Sequence, residues 1–221
     1  MLNRKSKVLL LSFIAAVCGL EVISLTALDA HFISLIRRKC ADEIPVSGAN
    51  DAELDKIRQA LERLPREMRD AVIGISVADD GAYQDWSGGH CLFRQISLRP
   101  GVWDKGGLRH ETAHAYVSTL PGEAVEEWKR IANYPWSGSG WGRQRSAFPQ
   151  KGILNDYSSS RPEEDIAEWV KFVYEQLDGD SRYFALITDR HDTRYIRKLR
   201  WLLKWKLIVL EDYKALAPLL R

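Results

Sequence analysis

In residues 50–64 the apolar positions Leu54, Ile57, Ala60, Leu61 and Leu64 recur at helical spacing. They sit behind Asn50, a residue type that caps helix starts, and Pro65 ends the run. The period then changes. Residues 71–77 are apolar and β-branched up to the Asp79-Asp80-Gly81 turn signal, and residues 91–98 alternate apolar and polar up to Pro100, so each predicts a strand. Helical spacing returns over about 104–120. Asp104 supplies a cap, Gly106-Gly107 permits close backbone approach, Ala113, Val117 and Leu120 form a side that can pack on a core, and Pro121-Gly122 stops the helix. A shorter helix is expected over about 123–132.

Gly, Ser, Pro and Trp then dominate residues 133–156, which predicts a long irregular connection of the kind that shapes sites. Ser160-Arg161-Pro162-Glu163 reads as a capping box with Pro162 tolerated in the first turn, starting a helix that runs to about Leu177 before Gly179. Its core stripe is Ile166, Val170, Val173 and Leu177. Glu164 and Glu168, one turn apart, project from roughly the opposite side, toward either solvent or a cleft. A last helical stretch, 192–209, places Tyr195, Ile196, Leu199, Leu202, Leu203 and Val209 among Arg194, Arg197, Lys198, Arg200, Lys204 and Lys206. It reads either as a core-packed helix with a solvated basic face or as a surface for an anionic membrane or partner.

The first thirty residues are a different kind of sequence. Arg4, Lys5 and Lys7 precede an uncharged apolar run over residues 8–20, and apolar character resumes to Leu28. Residues 1–30 are therefore expected to be a signal peptide or an uncleaved N-terminal membrane anchor, and residues 31–221 a single exported domain, periplasmic or secreted or anchored by one span. Of the three cysteines, Cys18 lies in that segment, which leaves Cys40 and Cys91 either as one disulfide in an oxidising compartment or as two buried thiols. Hydrophobic content of 45% and charged content of 28% are those of an ordinary globular chain. A net charge of +2 gives no argument for nucleic acid. Among the eight Trp, Trp103, Trp136, Trp141 and Trp169 flank the chemistry described next and read as core or loop packing.

That chemistry is His110-Glu111-Thr112-Ala113-His114, an HExxH run on the predicted 104–120 helix. Residues four apart share a face, so both histidines can reach one Zn²⁺, and Glu111 beside them can take a proton from metal-bound water. Catalytic zinc takes three protein ligands and leaves a position for water, so a third is required. Asp156, Glu164 and His191 are the candidates. Glu164 is favoured because a capped helix holds it rigidly, whereas His191 sits in a turn-like connection. His31 and His90 have no supporting context.

HETAH, then Tyr157, then Glu164-Asp165-Ile166-Ala167-Glu168, resembles gluzincin metallopeptidases of the anthrax lethal factor type and related bacterial zinc peptidases. In those families HExxH is followed some tens of residues later by a Tyr seven positions before an E-x-x-A-E helix, the separation that Tyr157 and Glu164 keep. The resemblance spans about residues 91–177. It implies an α+β, zincin-like fold: a small mixed or antiparallel sheet packed on the HExxH helix, with a helical C-terminal part. It further implies His110, His114 and Glu164 as zinc ligands, Glu111 as general base, and Tyr157 as hydrogen-bond donor to the developing oxyanion. Glu168 would orient a ligand histidine, and the strand at 91–98 would hold a peptide substrate as an added strand. The function so implied is peptide-bond hydrolysis. The alternatives are a catalytically inactive binding module on the same fold and a membrane-associated interaction protein led by the N-terminal segment.

Overall fold

A computed structural model describes residues 44–79, 88–134, 136, 152–155, 157–180 and 192–220, all within one compact unit that begins at Ile44. The N-terminal segment, Cys40, Trp141, Asp156 and His191 lie outside the described residues. In order, the elements are β1 (Val46–Ser47), α1 (Asp51–Glu62), α2 (Arg66–Ala71), β2 (Gly74–Val77), β3 (Gly89–Leu92), β4 (Gln95–Leu98), α3 (Lys105–Val117), α4 (Gly122–Ala132), α5 (Pro162–Leu177), α6 (Thr193–Lys204) and α7 (Leu210–Leu216). Short 3₁₀ turns precede α5 at Tyr157–Ser159 and follow α7 at Ala217–Leu220.

The sheet order is β1-β2-β4-β3, with the first two pairings parallel and β3 antiparallel to β4 at the edge. Register places Ile75 beside Ile96 and Val77 beside Leu98, all four buried, while Ser76 and Ser97 meet on the other face with their hydroxyls 3.1 Å apart. The buried face packs against α3, which also contacts α1, α2 and α5. The fold is thus a small mixed sheet on the HExxH helix with helices beyond it. Among the described residues, no helix is long and apolar enough to cross a membrane.

Several local expectations hold at atomic detail. Asn50 and Glu53 exchange reciprocal cap hydrogen bonds at 3.0 Å, and Asp104 Oδ1 accepts from the Gly107 backbone at 2.6 Å. Gly106 permits the close approach expected of it: a Cβ there would come 2.1 Å from Glu175 Oε1 on α5. Ile166, Val170 and Val173 form the buried stripe of α5.

Other expectations need correction. The strand expected over 91–98 is a hairpin: β3 and β4 are joined by the two-residue turn Phe93-Arg94. Both turn residues have positive φ, +49° and +69°, as primed hairpin turns require. Neither is the Gly or Asn such turns prefer. Arg94 holds the turn from a distance, donating from Nε to Ala71 O at 2.5 Å and from Nη2 to Asp70 O at 3.5 Å. The strand expected over 71–77 starts later, at Gly74, because Arg66–Met68 and following residues continue as a helix after Pro65. The capping box at Ser160 is absent. Arg161 is the N-cap and makes no side-chain cap bond, while the Ser160 hydroxyl donates instead to Tyr157 O at 2.8 Å. The last basic stretch is helical only over Thr193–Lys204; Lys206 then takes φ +58°, and a separate helix, α7, begins past the stretch at Leu210. Its α6 part is core-packed through Tyr195, Leu199, Trp201 and Leu202.

Candidate metal centre

The two histidines leave α3 one turn apart and meet α5 across the helix interface. His110 Nε2 lies 3.0 Å from His114 Nε2, and Glu164 Oε2 lies 3.2 Å and 3.1 Å from these two nitrogens. The three atoms form a nearly equilateral triangle. A hydrogen bond can satisfy one edge at a time, because one proton lies between two atoms, whereas a single cation satisfies all three at once. Two imidazole nitrogens and a carboxylate oxygen are also the donor set that zinc takes. By donor type and convergence, His110, His114 and Glu164 fit a metal ion.

Glu168 stands one turn along α5 from Glu164 and is buried. Its Oε1 lies 2.9 Å from His110 Nδ1, at an angle short of a well-formed hydrogen bond. Facing a carboxylate, Nδ1 keeps its proton, so it is Nε2 that the neutral ring offers as a lone pair to the triangle. The other Glu168 oxygen accepts from Asn155 Nδ2 at 2.5 Å. Asn155 is a residue that sequence reasoning passed over. Its Oδ1 accepts from the Ser158 backbone at 2.9 Å and the Ser158 hydroxyl at 3.0 Å, capping the 3₁₀ turn that carries Tyr157. An Asn three residues before the capped amide is a turn signal that could have found it.

The electrostatics follow from this crowding. Burial alone would lower the His110 pKa, but the Glu164 and Glu168 carboxylates outweigh it and push the ring up to about 10. Burial opposes ionisation of Glu164, and the two imidazoles overcome it, holding the carboxyl well below the usual carboxylate range. Burial first, and the negative Glu164 second, push the Tyr157 phenol well above its ordinary value, so it stays protonated as a donor.

A cleft of about 580 Å³ opens over the triangle, lined in part by Glu111, His114, Tyr157 and Glu164 from the helical side and by β3 and its turn from the other. Glu111 is half-buried at its edge. Gly89 sits opposite, where an added Cβ would come 2.9 Å from Ser97 O and 3.8 Å from Glu111 Cγ. His90, for which no role was legible, also lines the cleft, as do Leu92 and Phe93, 59% and 86% exposed. Cys91 is a free, half-buried thiol in the same wall, and its expected partner Cys40 lies outside the described residues. Burial, with Glu111 nearby, pushes that thiol up to about 11. Trp103 and Trp169 are core residues and Trp136 packs at the core margin.

Of the expected site residues, the structure therefore brings together His110, Glu111, His114, Tyr157, Glu164 and Glu168. No protein-family model and no curated protein sequence matches the chain. Among solved structures, it is similar to a candidate zinc-binding metallo-peptidase from Bacteroides caccae, at 16% identity and a TM-score of 0.48, over 85% of this chain and 92% of that one.

Proposed function

We propose that this protein is a zinc-dependent metallopeptidase of the gluzincin type, with His110, His114 and Glu164 as the metal ligands and peptides or proteins as substrates. The observation that carries the reading is the closed triangle of His110 Nε2, His114 Nε2 and Glu164 Oε2 at the base of a cleft that Glu111 and Tyr157 also line. A structural metal site needs no free carboxylate beside it, and Glu111 is such a group.

Zinc bound there supplies a Lewis acid that acidifies a water and polarises the scissile carbonyl. The chain's own groups do the rest. Glu111 takes the proton and delivers it to the leaving amine. Tyr157, kept protonated by burial and by Glu164, donates its hydroxyl to the oxyanion as charge develops. Glu168 holds the His110 ring in the tautomer that turns Nε2 to the metal. The cleft wall is built from β3, the edge strand of the sheet among the described residues, and an extended peptide lies along that wall in this reading. The N-terminal segment directs the domain out of the cytoplasm or anchors it at a membrane.

Chelator-sensitive cleavage of a peptide library by the zinc-loaded protein tests the activity. Glu111→Gln is expected to keep stoichiometric zinc while hydrolysis falls about 10²–10⁴-fold. An undiminished rate removes the general-base role, and zinc binding without any cleavage in the unaltered protein would make the domain a binding module instead.

A further inference from the structure

Among the residues around the site, Asn155 is unusual in touching two parts of it with one side chain. Its Nδ2 donates to Glu168 Oε2, whose other oxygen faces His110 Nδ1, and its Oδ1 takes both the backbone and hydroxyl protons of Ser158, next to Tyr157. Both destinations are buried: Ser158 is fully so and Glu168 is 6% exposed. A carboxylate must receive a donor and a backbone N–H must find an acceptor, so this amide has one orientation that satisfies both. Asp would face Glu168 with a second carboxylate, Ser could not span the two partners, and Ala would leave Glu168 and the Ser158 amide short of partners in a dry place.

We propose that Asn155 is a positioning residue for the site, fixing the His110 ring through Glu168 and, with the same amide, the turn that carries Tyr157. The proposal rests on the metallopeptidase reading above. It makes two separable statements. On the His110 side, loss of the Nδ2 donor frees Glu168 to swing away from Nδ1, so the ring loses its preferred tautomer and metal affinity falls. On the Tyr157 side, loss of the Oδ1 acceptor uncaps the turn and moves the phenol, which affects turnover rather than metal binding.

The test measures zinc affinity by competition with a chromophoric chelator for the unaltered protein, Asn155→Ala, Glu168→Ala and the double variant, with thermal melting as the check on folding. Asn155→Ala is expected to weaken zinc binding about 10-fold while still saturating at one ion, within the range typical of partners that orient ligand histidines. In the Glu168→Ala background the same change should add less than about twofold, because its route to the metal is already gone. A purely structural residue would give an additive loss instead. Asn155→Asp keeps the acceptor for Ser158 and sets a carboxylate against Glu168 in place of the donor, so it decides the first statement should Asn155→Ala fail to fold. At saturating zinc, kcat for Asn155→Ala should fall below that of Glu168→Ala, since only the former also releases the Tyr157 turn; equal kcat values overturn the second statement. Zinc affinities of both Asn155 variants within twofold of the unaltered protein, or an additive loss in the double variant, overturn the first. If the unaltered protein takes up no zinc, the metallopeptidase reading fails and this proposal falls with it, an outcome distinct from zinc binding that ignores Asn155.

Discussion

Glu164 and Asp165 are consecutive on α5 and leave it about 100° apart, so they enter different surroundings. Asp165 points into the core. Lys198 Nζ lies 2.6 Å from its Oδ2 and Trp128 Nε1 donates to the same oxygen at 2.7 Å, with the Asp165 and Lys198 side chains wholly buried. Lys198 also donates to Gly152 O at 2.8 Å and sits 5.0 Å from the Trp128 ring and 5.5 Å from that of Trp169. Burial drives each partner toward its neutral form, raising Asp165 and lowering Lys198, and their mutual contact opposes this. Glu164 keeps 14% of its side chain exposed and meets two imidazoles. Among the described residues, no Lys or Arg forms an ion pair with it. One carboxylate is therefore neutralised by a lysine buried beside it in the core, and the next faces two imidazole nitrogens at a cleft that an ion can enter. The difference separates a group built for stability from a group built for binding, on one turn of one helix.

Removing the cation of the core pair should have the largest effect on the fold. Lys198→Met strands Asp165 without its partner and is expected to cost about 3–5 kcal/mol in urea unfolding, with zinc stoichiometry unchanged in the folded protein. A loss under about 1 kcal/mol would mean that Asp165 is protonated and needs no lysine. Glu164→Ala should do the reverse, abolishing stoichiometric zinc after dialysis, an affinity loss beyond the hundredfold that outer partners cause, while the metal-free protein changes by about 1–2 kcal/mol or less. Zinc retained by this variant would move the third ligand to Asp156 or His191. The smallest effect concerns protons. With its pKa raised to about 10, His110 gives the metal-free protein stability that is fully present below the ordinary imidazole value of about 6.5 and is lost as pH rises through about 10. A metal needs the neutral ring, so zinc uptake should release this proton, and zinc affinity should climb with pH from about 6.5 upward, by at most tenfold per unit. An affinity that stays flat between pH 6.5 and 8.5 would show that the carboxylates do not hold His110 protonated.

The parts of this molecule that were legible in its sequence are those governed by neighbours along the chain. Helical periodicity, the Asn50 and Asp104 caps and the i, i+4 histidines are local facts, and they placed α1, α3, α5 and one side of the site. The hairpin was hidden because the signal for such a turn is Asn or Gly, whereas here Arg94 is held at positive φ by carbonyls more than twenty residues away. Lys206 concealed the end of α6 in the same way, with no glycine to mark it. The aim of Glu164 into the cleft and of Glu168 onto His110 could not be told from a solvated face, since periodicity gives the angle around a helix and says nothing of what stands opposite. The buried Lys198 was invisible for a related reason: a basic residue on a basic helix reads as surface until its partner on α5 is known.

The attachments of α5 have a consequence for its rotation about its own axis. Asp165 is held by Lys198 from α6, and Glu168 by Asn155, so two tethers grip positions about 60° apart around the helix, close to Glu164. A carboxylate oxygen stands ~6 Å from a helix axis, so a turn of about 10° would carry it through about 1 Å, and a functional site tolerates about half of that. Rolling the helix by that much displaces both anchored carboxylates and so disturbs both tethers at once. The spacing between Glu164 and the two histidines is thus set by torsional stiffness, and substitutions far from the cleft that slacken either tether should register there as a change in ligand spacing.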